Sequence, residues 1–491
     1  FVVNGTAGAI PYVDFNIGES YAGLLPISSA PNASELYFWY FPSENPAASD
    51  EIVIWLNGGP GCSSLEGFLQ ENGPVLWQYG TYKPVPNYWS WSNLTNMVWI
   101  EQPVGTGFSQ GTPTANSTEE AAQEFLGFWK NFLDTFDLCG KTVYITGESF
   151  AGMYVPYIAD AMVQKNDTKY YNVNGIMIYD PSIAEDVILE DAPAVGLVDQ
   201  WSGLFNLNET FMEYIHKQAD KCGYTSLFET YLTFPPQHGS IPLPAYSAND
   251  EGCDLWNQIL NAVLLTNPCF DLYAIATTCP LLWDVLGFPG SIPYLPDGAF
   301  IYFNLTNVQK AINAPVQDWE ECSNGVLDDD TSLPSSIEVL PRVIDALERT
   351  IIVHGELDYV LLYNGTLLTI QNMTFGGLQG FQSKPSDDFY VPYHADGPLG
   401  SISAAGIMGT THTERKLTYV SQRLSGHMVP QYQPSSAYRQ LEFLLGRIDS
   451  LTSTVPFTTL GQGNSTMNST SKRNVAAAER NGLLEKVEKW Y

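Results

Sequence analysis

The chain predicts an α/β fold, with a mostly parallel central sheet covered by helices on both faces and interrupted by an inserted cap. Three observations carry this. Short apolar runs alternate with helix-like segments as far as about residue 180. The rhythm then breaks in a stretch rich in proline and holding four of the seven cysteines. Strand-like runs resume near residue 350 and lead to a last helix. Because strands alternating with helices must cross over, they pair in parallel and bury both faces.

In chain order, the first strands are expected at Leu36–Phe41, Ile52–Leu56, Met97–Glu101, Thr142–Thr146 and Gly175–Tyr179. A helix opens at Thr118 and sets Phe125, Trp129, Phe132, Leu133 and Phe136 on one face. Later strands are expected at Thr350–His354 and Leu417–Ser421, then a helix near Ser435–Leu445. This divides the chain into a first part of the core (1–181), the cap (182–315), a second part of the core (316–449) and a C-terminal tail (450–491). The tail is rich in Ser, Thr and Gly, carries the dibasic pair Lys472-Arg473, and ends with Leu483, Val487 and Trp490 at helical spacing. Exposed backbone there makes proteolytic removal after the pair the expectation, against docking of the last helix.

Composition limits the function. The hydrophobic fraction is 44% and there are 28 tyrosines, as a folded globular chain requires. Basic residues number 21 and acidic residues 53, a net charge of −32 that repels nucleic acid and anionic membrane. Low pH would relieve that repulsion by protonating carboxylates. No apolar run approaches the ~20 residues a membrane span needs. Eleven Asn-x-Ser/Thr sequons and a first residue of Phe1 rather than Met make a processed, glycosylated protein of the secretory pathway the expectation, secreted or vacuolar. The cysteines crowd between Cys222 and Cys322 with no C-x-x-C, so disulfides are expected rather than a metal. Cys139 stands apart as the candidate free thiol. The pairing among Cys222, Cys253, Cys269 and Cys279 stays open.

The chemistry begins where a strand runs directly into Gly147-Glu148-Ser149-Phe150-Ala151-Gly152 and a helix follows. Small residues two places either side of a serine permit the sharp turn that exposes a nucleophile. A serine needs a base and the base an orienting acid. His427 and Asp358 each follow a later strand, in the order Ser…Asp…His of the α/β-hydrolase arrangement. His216, His238, His394 and His412 lack that context, and no H-E-x-x-H is present, so no metal and no cofactor is expected. A further strand ends in Trp55-Leu56-Asn57-Gly58-Gly59-Pro60-Gly61-Cys62, where paired glycines can aim backbone N–H groups at an oxyanion.

These blocks, with Glu71-Asn72-Gly73-Pro74 and Gln102–Ser109, resemble the serine carboxypeptidase family over about the first 450 residues. The resemblance implies an α/β-hydrolase fold and release of single residues from peptide and protein C-termini at acid pH through an acyl-enzyme. Ser149 would be nucleophile, His427 base and then acid, and Asp358 the orienter, with an oxyanion hole from Gly59 and Phe150. Asn57, Gly58 and Glu148 would hold the substrate carboxylate, with Glu71 paired to Glu148 and Trp55 in support. Glu66 would line the pocket for the departing residue and favour Lys or Arg. Phe150 and Val360 would face the acyl side, and Met428 lies beside His427. The resemblance also implies a Cys62–Cys322 disulfide. Glu356 and Glu101 depart from the family's usual Asp, Leu361 from a cysteine of some relatives, and His354 from an aromatic or small residue, so Glu356 is a minor rival to Asp358. An acyltransferase on the same scaffold is the alternative reading; such enzymes alter the carboxylate-binding set, which is intact here.

Overall fold

The computed structural model describes residues 1–287, 296–394 and 402–460. Eleven strands form the central sheet: β1 (Val2–Val3), β2 (Ser20–Pro26), β3 (Glu35–Phe41), β4 (Glu51–Leu56), β5 (Met97–Glu101), β6 (Thr142–Glu148), β7 (Val173–Tyr179), β8 (Arg349–Gly355), β9 (Asp387–Val391), β10 (Gly406–Glu414) and β11 (Leu417–Gln422). Their spatial order is β1-β2-β3-β5-β4-β6-β7-β8-β11-β10-β9. The six strands from β5 to β11 in that order pair in parallel. Antiparallel strands close both margins.

The central strands alternate between two apolar faces, as a sheet buried on both sides must. Ile52, Ile54 and Leu56 of β4 point into the cluster beneath helices α1 (Thr118–Phe136) and α2 (Ala151–Lys165). Val53 and Trp55 point into the opposite cluster with Trp39, Phe68 and Trp99. Ser117 caps α1 by accepting the Glu120 N–H at 3.1 Å. The expected apolar stripe, Phe125, Trp129, Phe132 and Leu133, is buried. Phe136 is only partly so, packing on Phe38 and Tyr40.

All seven expected strands are present, with ends moved by no more than two residues. The late helix is Pro434–Leu444. Between β7 and β8 the chain leaves the sheet and builds helices including Glu209–Cys222 and Leu255–Thr266, which share their own apolar cluster. From this excursion we propose that the cap spans 182–315. The disulfides are Cys62–Cys322, Cys222–Cys253 and Cys269–Cys279, and Cys139 is free.

The first residues of the expected tail are docked. Arg439 and Glu442, both fully buried, pair at 2.7 Å on the last helix. The tail takes up further donors and acceptors of the pair: Arg439 donates to Ser453 O and Val455 O, and Glu442 accepts from Thr458. Lys472-Arg473, Leu483, Val487 and Trp490 lie outside the described residues, as do the sequons at Asn464 and Asn468.

Candidate active site

Four strand ends converge at the carboxyl edge of the parallel block, where α/β sheets present their sites. At the end of β6 the backbone turns sharply through Ser149, which has φ +60°. The small residues of the motif have steric reasons. A Cβ on Gly147 would fall 2.3 Å from Leu56 O, and one on Gly152 2.5 Å from Ser182 O. Ala151 fits where a glycine is commoner, its side chain fully buried at the start of α2.

Asp358 follows β8 and His427 follows β11. His427 Nδ1 donates to Asp358 Oδ2 at 2.7 Å, and both residues are buried. Asp358 Oδ1 also accepts the Val360 N–H at 2.7 Å. Burial works to raise the Asp358 carboxyl, but the attraction of His427 and hydrogen bonds from His354 and His427 outweigh it and leave it below its ordinary value. Glu356 instead accepts from Ser421 Oγ at 2.6 Å, so geometry brings Asp358, not its rival, to the histidine. His427 Nε2 is buried with no hydrogen-bond partner among the described residues.

A loop of the excursion steadies both of these positions. Tyr273 O accepts the His427 N–H at 2.8 Å, Leu272 O accepts from Tyr359 N, and Ile275 N donates to Leu357 O. That loop is closed by the Cys269–Cys279 disulfide.

The glycine turn after β4 packs against the elbow. A Cβ on Gly58 would lie 2.5 Å from Phe150 N and 2.7 Å from Ser149 Cβ, so only glycine lets the chains approach. Gly59 follows with φ +106°. Cys62, at the end of the turn, is tied to Cys322.

Beside the elbow sits a cluster of acids arranged by Asn57. Trp55 Nε1 donates to Asn57 Oδ1 at 2.7 Å, which turns the amide's Nδ2 toward Glu148 Oε1 (2.9 Å), Glu66 Oε2 (3.1 Å) and Glu71 Oε1 (3.5 Å). An amide has two protons for these three acceptors. Among the described residues, no Lys or Arg pairs with any of the three. Burial, then the charges of Glu71 and Glu66, push Glu148 well above its ordinary value. Burial and the Glu66 charge do the same to Glu71, against hydrogen bonds from Glu148 and Asn57. Burial, then Asp284, pushes Glu66 up to about 8. Glu71 Oε2 and Glu148 Oε2 are buried and receive no hydrogen bond from an N–H or hydroxyl donor among the described residues.

Glu66 also lines a cleft with Gln70, Asp284, Met428 and Tyr432. Val360 and Phe150 are partly exposed, Val360 beside Asp358 and Phe150 against the Tyr154 ring. The residues expected to carry the chemistry, Ser149, Asp358, His427, Asn57, Gly58, Glu71 and Glu148, lie at or next to these strand ends. Three groups that were not singled out join them: Asp180, Asp284 and Tyr273. Asp180 had a readable signal, since it directly follows β7 as the others follow their strands; the other two sit in the excursion, where no periodicity points inward. Two groups, Glu66–Glu71–Glu148 and Asp180–Asp358–His427, bring donor atoms within the 4.8 Å that a metal would ask. Asn57 and backbone amides already donate into them, as suits hydrogen-bonded acids.

A buried Asp–His pair, a serine on a left-handed elbow and a glycine turn at the edge of a parallel sheet define a serine hydrolase of the α/β-hydrolase class. Residues 11–446 match the family model described as serine carboxypeptidase, and the chain belongs to that family. It is 61% identical over 465 residues to a probable serine carboxypeptidase of Arthroderma benhamiae, covering 92% of this chain and 87% of the relative. Identity to serine-type carboxypeptidase F of Aspergillus niger is 45% over 462 residues, covering 90% and 87%. A prohormone-processing carboxypeptidase of Saccharomyces cerevisiae has the same fold, with a TM-score of 0.68 at 22% identity over 91% of this chain and 94% of that one. The protein is thus a serine-type carboxypeptidase, a peptide hydrolase acting on peptide substrates. No helix among the described residues is long and apolar enough to cross a membrane.

Proposed function

We propose that this carboxypeptidase works in acid, through an acyl-enzyme on Ser149, and reads the free C-terminus with protonated glutamates. The carrying observation is the acid cluster on Asn57, with Glu148 next to the nucleophile and the Oε2 atoms of Glu71 and Glu148 buried with no N–H or hydroxyl donor reaching them among the described residues. Two such carboxyls repel as anions, so they hold protons, and a protonated carboxyl donates to a substrate carboxylate.

Chemistry follows from the neighbours. His427 Nε2 takes the proton of Ser149 Oγ as the oxygen attacks the last peptide carbonyl. Asp358 holds the imidazole in the tautomer whose Nε2 can accept. The oxyanion is received by the N–H groups of Gly59 and Phe150. Collapse breaks the C–N bond, His427 gives its proton to the leaving amine, and the terminal residue departs. Water then attacks the ester with His427 again as base, returning Ser149 and the shortened acid.

The carboxylate of the departing residue is held by Asn57, Gly58 and Glu148, with Glu71 behind. Val360 and Phe150 border the acyl side, and Met428 and Glu66 the leaving side. The sequons and acidic surface support a glycosylated enzyme of the secretory pathway, secreted or vacuolar. Treatment with a fluorophosphonate followed by intact-mass analysis tests the nucleophile: one adduct, lost in Ser149→Ala along with peptide release. Retained turnover in that variant overturns the mechanism.

A further inference from the structure

Asp180 closes β7 between the strands that deliver the serine and the acid, and the mechanism above gives it no part. It is fully buried and sits at φ +42°, an uncommon backbone for a residue with a side chain. Its N–H donates to Val353 O and its Oδ1 accepts the Gly355 N–H, both at 2.8 Å. Its Oδ2 is buried and receives no hydrogen bond from an N–H or hydroxyl donor among the described residues. A carboxyl oxygen of Asp180, one of Asp358 and a ring nitrogen of His427 lie within 4.8 Å of one another.

Two buried acids this close do not both stay ionised without a cation. The groups facing Asp180 are Asp358, His354, His427, the Glu71–Glu148 pair and the rings of Tyr179 and Tyr419. None is Lys or Arg. His354 Nε2, 3.4 Å from Asp180 Oδ1 and 3.5 Å from Asp358 Oδ2, donates to Leu361 O at 2.7 Å, the only role a carbonyl permits it. Its Nδ1 meets Thr366 Oγ1 at 3.0 Å, so both ring nitrogens already have partners other than Asp180.

Which acid keeps the proton follows from their partners. Asp358 accepts from His427 Nδ1 and from the Val360 and Leu361 N–H groups, all of which favour the anion. Asp180 accepts one backbone N–H and has an oxygen to spare. Burial, then the Asp358 charge, also push Asp180 well above its ordinary value.

We propose that Asp180 is a positioning residue of the triad: it stays protonated and donates a hydrogen bond to Asp358, holding that carboxylate in place for His427. The idea rests on Asp358 and His427 being the orienting acid and the base. Asparagine at 180 keeps a donor and the shape but carries no proton to lose, whereas alanine removes the donor.

The test uses an ester substrate, which bypasses the Glu71–Glu148 pair, and follows kcat, KM and the acid limb of kcat/KM against pH. Asp180→Ala should lower kcat about 10- to 100-fold with KM little changed. Asp180→Asn should restore most of that loss and leave the midpoint of the acid limb where it is in the wild type. If Asp180 were instead ionised, Asn would remove a negative charge beside the His427 pair and move that midpoint to lower pH. Such a shift, or an Asn variant as impaired as Ala, overturns the proposal. If Asp180→Ala fails to fold, the midpoint in Asp180→Asn still decides. Asp358→Asn run alongside separates the two ideas, because normal turnover in that variant would refute the triad itself.

Discussion

Replacing Glu148 by glutamine should change how the enzyme responds to pH more than how fast it works in acid. With the pair protonated, Glu148 can donate to the substrate carboxylate while Glu71 backs it, worth about 1.5–3 kcal/mol. Once ionised, a glutamate about 4 Å from that carboxylate repels it by about 4 kcal/mol at an effective dielectric of about 20. Loss of one proton thus swings binding by about 6 kcal/mol, or about 10⁴-fold, enough for peptide turnover to fall about tenfold per pH unit above the pair's folded pKa. Glutamine keeps an N–H donor that does not titrate. Peptide kcat/KM for Glu148→Gln should stay within about tenfold of wild type near pH 5, and its alkaline limb should move up or flatten. The matching ester, with no free carboxylate, should show little difference between the two proteins. The assay is kcat/KM for a peptide and its ester analogue from about pH 4 to 9. A peptide limb of unchanged midpoint and slope in the variant would refute the reasoning.

The same buried protons govern stability. Glu101 is pushed up to about 7, Glu66 and Glu190 to about 8, and Asp191 and Asp284 to about 6, burial being the leading cause for each. An acid raised in the fold contributes stability that is complete below its unfolded value and lost as pH climbs to its folded one. Tm should therefore fall between about pH 4.5 and 8, and a flat or rising Tm by calorimetry would count against these protons. Glu66→Gln should lower the Lys-to-Leu ratio of kcat/KM, and more so at about pH 9 than at about pH 5, because Glu66, pushed up to about 8, is neutral in acid; an equal ratio at both pH values would remove Glu66 from specificity. Cys269→Ala/Cys279→Ala should slow fluorophosphonate labelling of Ser149 about tenfold or more, since the loop that holds Tyr359 and His427 is released; an unchanged labelling rate would make that loop a mere cover.

The parallel strands were readable because each is a run of apolar residues buried on both faces, as β4 with Ile52–Leu56 shows. The antiparallel margins were not. β2 contains Gly23 and ends at Pro26, and β10 carries Gly406 and Gly409, so neither presents a clean apolar period. The Asp358–His427 contact joins residues 69 apart, and it was legible only because each follows a strand in a known order. Glu66 was expected at a pocket wall, and it does line a cleft, but sequence gave no hint that Asn57 also draws it to Glu71 and Glu148. That meeting depends on the π-type turn Gly67–Glu71, a helical irregularity with no sequence signature. The docking of Thr458 and the chain around it was hidden for a related reason. Ser/Thr-rich composition reads as loose chain, whereas the buried Arg439–Glu442 pair, the Tyr438 hydroxyl and the rings around Phe457 give it partners.

The most direct measurement compares one peptide with its C-terminal amide at about pH 5, following released residues by mass spectrometry. Protonated Glu148 and Glu71 recognise a carboxylate, so the free acid should lose its last residue much faster than the amide, and Glu148→Ala should narrow that gap by about 10- to 100-fold. Equal rates for acid and amide in the wild type, or a gap untouched in Glu148→Ala, would contradict the claim that this acid cluster reads the C-terminus.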